Sequence, residues 1–294
     1  MKKLYIVLLL GFILMLPTGY SYRKMDYRKA RLNNVCKDLK GDALLYFIFV
    51  DNAKTTPWTE FDIQSTIDSI RMAINWIHTQ AKKDDIQVNI IADFYIGKEY
   101  TTVRKNLPGE NVFESISKPN MKKGYQVMNK WADDIVRVVG SALPIHEKDG
   151  IPEIKNPRNK ERLAAYLRDE NNVESVALFF LVNNYFKNDI SIQLNTMNTN
   201  DVEFAVVSYK YPSEMAHNFL HLYGAADMYE TLYRRNKKKI KILLKEFPNE
   251  IMQDPYGKDI WELEISDYTK YLIGWKDDLN PRYEPLMTDS YMNY

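Results

Sequence analysis

Residues 212–229 read Pro212-Ser213-Glu214-Met215-Ala216-His217-Asn218-Phe219-Leu220-His221-Leu222-Tyr223-Gly224-Ala225-Ala226-Asp227-Met228-Tyr229. Ser213 suits a helix N-cap and Gly224 a helix stop. Between them, His217 and His221 are four residues apart, one turn along the same face of the predicted helix. Two imidazoles at that spacing can hold one zinc ion. Gly224 lets the chain leave the helix sharply, and Asp227, six residues after His221, can swing back as a third ligand. Three protein ligands and an open fourth position make the pattern of catalytic zinc. The competing reading is a helix face that carries two histidines by coincidence. The cap before the pair, the Gly at +3 and the Asp at +6 favour the metal.

Upstream, the pattern is that of an α/β protein. Residues 43–50 form an apolar run that ends at Asp51-Asn52, as a buried strand would. Thr59 and Asp62 make a capping-box start. Ile63, Ile67, Ile70, Ile74 and Ile77 then repeat at +4, +3, +4, +3, one face of a helix running to about residue 80. Residues 86–96 read as the next strand, which completes a βαβ unit with parallel strands. A second helix is predicted over 121–139 with Val127, Trp131, Ile135 and Val138 inward, and a third over 157–168 after Asn156-Pro157. Residues 174–183 suit a strand buried on both faces, and 202–209 an edge or near-edge strand. Together these predict a mixed sheet packed on two long helices, one of them carrying the histidine pair.

At this point the chain resembles a known family, the zincin metallopeptidases, in the metzincin-like branch written H-E-x-x-H-x-x-G-x-x-H/D. The Asp-ending form occurs in snapalysin-like enzymes and in secreted bacterial proteins of the A-H-E-F-L-H-L-F-G-x-x-D-x-Y kind. Ala216, His217, Phe219 to Leu222, Gly224, Asp227 and Tyr229 match that last pattern. Ile251-Met252 resembles the Met-turn, whose Met packs beneath the metal in this branch. Residues 263–275, ending Ile273-Gly274-Trp275, resemble the C-terminal helix of the secreted group. The similarity covers about residues 174–276. It implies a zincin-like domain, a zinc cofactor held by His217, His221 and Asp227, Met252 in the Met-turn, and a peptide or protein substrate or partner.

One position departs from the pattern. The family has Glu after the first His, where it serves as general base, and this chain has Asn218. An amide cannot accept that proton at neutral pH. Loss of a positioned acid–base group costs about 10²–10⁴-fold in rate. The zinc ligands do not include that Glu, so metal binding is expected to survive while peptidase activity is lost or strongly reduced. Glu214, one turn before the histidines, is the candidate substitute base; its plainer role is a favourable acid in the first helical turn. Tyr256, just after the Met-turn, is a candidate for oxyanion stabilisation. Three functions follow: a zinc-binding homologue that has lost catalysis, a working zinc endopeptidase with another base such as Glu214, and a metal-free binding protein.

Composition bounds these readings. The 294 residues are 45% hydrophobic and 27% charged, ordinary for a globular chain rather than a disordered one. A formal charge of +1 argues against a nucleic-acid partner, which calls for a strong basic excess. Residues 1–21 read as a signal peptide: Lys2 and Lys3, an apolar run from Leu4 to Leu16, then Gly19-Tyr20-Ser21. The alternative is an uncleaved anchor. Cleavage predicts a secreted or periplasmic protein with no membrane span. Residues 22–39 are then an N-terminal arm and 40–294 the zincin-like domain. The single Cys36 can form no intramolecular disulfide. The lysines of 234–245 are read as the solvated side of an amphipathic helix that buries Ile240, Leu243, Leu244 and Phe247.

Overall fold

The computed structural model describes residues 22–28, 36, 38–53, 56–95, 103–108, 121–145, 154, 156–183, 190–196, 201–208, 210–229 and 237–292. The expected signal peptide, His146 and Asn184 lie outside these residues. The protein is a mixed α/β structure. Its main sheet runs β3 (Val88–Tyr95), β2 (Gly41–Asp51), β5 (Ser175–Val182), β7 (Phe204–Val207), β6 (Ser191–Leu194). All neighbours are parallel except β6, which pairs antiparallel with β7. The short β4 (Val103–Arg104) extends the pairing of β2.

Helices cover both faces of this sheet. The sequence expectation of a sheet laid on two long helices is therefore corrected to three layers. Side chains alternate along a strand, so each central strand serves two cores. Leu45, Phe47 and Phe49 of β2 and Phe179 and Leu181 of β5 face α1 (Glu60–Lys83) and α4 (Pro212–Leu222). Leu44, Ile48, Phe180 and Val206 face α2 (Met121–Gly140) and α3 (Asn159–Asn171). Phe47 and Phe179 meet at 5.0 Å on the first face, and Trp131 and Phe180 at 5.5 Å on the second.

The five isoleucines of α1 are all buried on the first face, each stabilising by about 1.5–3 kcal/mol relative to exposure. Thr59 and Asp62 form the expected capping box. In α2, Trp131 and Ile135 point inward as read from sequence, but Val138 is 49% exposed and Val127 is only half-buried. Met128, Ala132, Val136 and Val139 take the inward positions, a rotation of about one residue. β7 is wholly buried, because β6 covers the side on which a sheet edge was expected.

The N-terminal arm closes the structure. β1 (Tyr22–Asp26) pairs antiparallel with β8 (Thr288–Met292). Leu39 exchanges backbone and side-chain bonds with the C-terminal region: its N–H donates to Ile273 O at 2.8 Å, and its carbonyl accepts from Trp275 Nε1 at 2.7 Å. Between lies α6 (Asp267–Leu272), capped by Ser266. Helix α5 (Lys237–Glu246) buries Ile240 and Leu243 and turns Lys237, Lys238, Lys241 and Lys245 outward as expected, while Lys239 bonds Thr288 O and pairs with Asp289, and Leu244 is exposed rather than buried. Among the described residues no helix is long and apolar enough to cross a membrane.

Candidate metal centre

Helix α4 leaves the end of β7 through a short loop and returns beneath the sheet. Pro212 occupies its first turn, where a missing N–H costs nothing. Ser213 is not the N-cap: its hydroxyl donates to Pro255 O at 2.8 Å, so a tertiary partner overrides the local capping rule. The helix stops at Tyr223, and Gly224 adopts φ +94°, a conformation that side chains disfavour. That turn brings the chain back past the helix, and Asp227 arrives beside the histidines.

Each imidazole is oriented by a carbonyl. His217 Nδ1 lies 3.0 Å from Ile251 O, and His221 Nδ1 lies 2.8 Å from Ala225 O. A carbonyl only accepts, so both Nδ1 atoms carry the proton and both Nε2 atoms offer lone pairs. The two Nε2 atoms are 3.0 Å apart. Asp227 Oδ1 stands 3.0 Å from the Nε2 of His221 and 3.5 Å from that of His217. Zinc bonds of 2.0–2.1 Å at tetrahedral angles separate ligand atoms by ~3.3 Å, a separation these three distances bracket. Among the described residues, these three form the one group of His, Cys, Asp and Glu whose ligand atoms converge in this way.

Both histidines are buried and Asp227 is partly exposed, so one side of the group opens to solvent. Burial opposes the charge on Asp227, but the two imidazoles outweigh it and hold its carboxyl well below the usual range. Burial likewise works against a charged His221, and Asp227 outweighs it, so His221 is raised. In the metal-free protein these shifts describe a proton held on His221 beside a carboxylate that stays anionic, a positive charge that a metal cation would replace.

The remaining expected site residues fall in different places. Asn218 is fully buried. Its Oδ1 accepts from Ser191 Oγ at 3.0 Å and from Gln193 Nε2, and its Nδ2 donates to Glu214 O at 2.8 Å. Glu214 is buried, outside the converging trio, with its charge felt at Tyr229. Met252 is buried in the turn that supports the site: its carbonyl accepts from Met228 N at 2.8 Å, one residue after Asp227. Tyr256 is half-exposed and packs edge-on against Tyr211 at 5.5 Å.

The tyrosine that stacks on one of these histidines is Tyr229, whose ring lies 6.5 Å from that of His217 at 22°. Burial, then the neighbouring Asp227, push its hydroxyl well above the ordinary value. Sequence reading placed Tyr229 in the motif without a role; its spacing two residues after Asp227 was the available signal. Among the other histidines, His78 accepts from Ile90 N at 3.2 Å and serves the fold. Cys36 is buried against Val176 O.

The chain matches none of the known family models and none of the curated proteins with which it was compared.

Proposed function

We propose that this chain is a zincin-like metallopeptidase homologue that binds zinc through His217, His221 and Asp227 but has lost or strongly reduced peptidase activity. It acts outside the cytoplasm by holding a peptide or protein partner. The observation that carries the reading is the pairing of an intact ligand set with a spent base position. The ligand atoms converge at 3.0–3.5 Å with tautomers set by carbonyls. Next to them, Asn218 has both ends of its amide engaged and no proton-accepting group.

Three further features support the zincin-like reading. The sheet is mixed, and the histidine helix packs beneath it, as the resemblance implies. A buried turn at Met252 underlies the ligands. The antiparallel strand β6 stands last in the described sheet beside α4, where an extended peptide can add as a further strand. When bound, zinc supplies a Lewis acid that polarises a carbonyl or water. The protein's own part is to orient the imidazoles and to keep an anionic Asp227 beside them.

A second reading has one observation in its favour: Glu214 is buried close enough to Tyr229 for its charge to be felt there, beside His217. That places a carboxylate near the ligands for an active endopeptidase. The two readings separate on a broad peptide library. The proposal expects the zinc-loaded protein to retain peptides without cleaving them. Robust, chelator-sensitive hydrolysis by the unmodified protein, abolished by Glu214→Gln, would establish the second.

A further inference from the structure

Glu250 is a carboxylate with almost no exposure, and nothing in the ligand set accounts for it. Its oxygens collect three donors from two places in the chain. Met252 N donates to Oε1 at 3.2 Å, Thr269 Oγ1 donates to the same oxygen at 3.1 Å, and Ser266 N donates to Oε2. Ser266 and Thr269 begin α6; Met252 belongs to the turn beneath the ligands. The carboxylate therefore clamps that turn to the start of the C-terminal helix. The backbone around it is bound in the same sense, with Ile251 N donating to Glu264 O at 3.0 Å and Gln253 N to Glu250 O at 3.1 Å.

The clamped turn is the one that touches the site twice. Its Ile251 carbonyl fixes the His217 tautomer, and its Met252 carbonyl holds Met228, the neighbour of Asp227. The residues so positioned come from α4 and from the return after Gly224. We propose that Glu250 is a positioning residue of the metal centre: by holding the 250–253 turn against α6 it presents the Ile251 carbonyl to His217 and sets which imidazole nitrogen is free for a metal. This inference rests on the zinc-binding reading of His217, His221 and Asp227. The Ile251 carbonyl is the partner one step removed from the metal, a place that carries about 10–100-fold of its affinity, and Glu250, one step further out, is expected to carry the lower end of that range.

The test uses the full chain with Glu250→Gln and the milder Thr269→Val, which removes one donor without emptying the carboxylate's site. Two quantities are measured: zinc affinity by competition with a chelator, and the imidazole ¹⁵N shifts of His217 in metal-free protein. Leu163→Ala, in the core on the opposite face, serves as a destabilised control. The expected result is about a 10-fold loss of zinc affinity in Glu250→Gln, the lower end of what a ligand's own partner carries, a smaller loss in Thr269→Val, and a shift of His217 away from the pure Nδ1–H tautomer. Leu163→Ala should change neither quantity. Wild-type zinc affinity and unchanged His217 shifts in a folded Glu250→Gln protein would overturn the positioning role while leaving zinc binding intact. If Glu250→Gln does not fold, Thr269→Val decides by the same two readouts. A wild-type protein that binds no zinc but whose His217 shifts still respond to Glu250→Gln would overturn the metal reading and leave the clamp standing.

Discussion

Ser191 Oγ donates to Asn218 Oδ1 at 3.0 Å, so the residue that follows His217, where the zincin pattern carries its general base, is tied to strand β6. Gln193 adds a second donor to the same oxygen. A carboxylate placed there would meet both donors, which favour its charged form and weaken it as a base. Asn218→Glu is therefore expected to raise chelator-sensitive hydrolysis of a peptide library by about 10²-fold, the low end of what a positioned base supplies. Adding Gln193→Ala should raise it further. No gain in either variant would mean that the cleft differs from a working peptidase in more than this one group.

The acid–base balance of the trio predicts a pH signature for the metal-free protein. Asp227 is lowered from 3.8, so its contribution is present above about that value and is lost as pH falls through the lowered one. His221 is raised from 6.5, so its contribution is present below that value and is lost as pH rises through the raised one. The pair should stabilise the metal-free fold most between about pH 4 and 6.5. Glu250, pushed by burial up to about 6, adds its own loss as pH rises, but the same loss occurs in any variant that keeps it. Urea unfolding of the wild type and of a His221→Ala/Asp227→Asn variant isolates the pair. The stability difference should shrink from pH 5.5 to pH 8; a constant difference would contradict the assignment.

Zinc affinity should run the other way over that range. Proton and metal compete for the same Nε2 lone pairs, so affinity is expected to rise with pH until His221 is fully neutral. A chelator-competition series from pH 5.5 to 8 checks this. A flat profile would exclude the imidazoles as ligands.

The two faces of the sheet should behave as separate modules. Leu163 is fully buried among α2, α3 and the far side of β5, away from α4. Leu163→Ala is expected to lower stability by about 2–5 kcal/mol, with zinc affinity unchanged within about twofold, because no bond of the metal centre passes through that core. Denaturant melts paired with zinc titration read both quantities.

Much of this architecture was legible in the residues. The isoleucine spacing of α1 and the apolar runs of β2 and β5 encode their burial directly, because one period determines the face. The convergence of His217, His221 and Asp227 was legible too, since helix spacing and a Gly stop are local signals. What stayed hidden depends on distant parts of the chain. β6 alternates polar and apolar residues, Ser191-Ile192-Gln193-Leu194, but four residues are too short a run to mark a strand, and its polar side chains bond Asn218, a partner distant in the chain. Ser213 obeys Pro255 instead of the helix end. In α2 the apolar residues occupy more than one face, and only packing against β5 selects Val139 over Val138. Tyr229 stood in the motif two residues after Asp227, but its place over His217 comes from the turn after Gly224, which the local residues do not spell out.

The central claim is that His217, His221 and Asp227 hold zinc. It is tested most directly by the metal content and zinc affinity of purified protein beside a folded His217→Ala variant. The account predicts one zinc per chain, removed by chelator and absent from the variant. Zinc at background level, with wild type and His217→Ala indistinguishable, would contradict it.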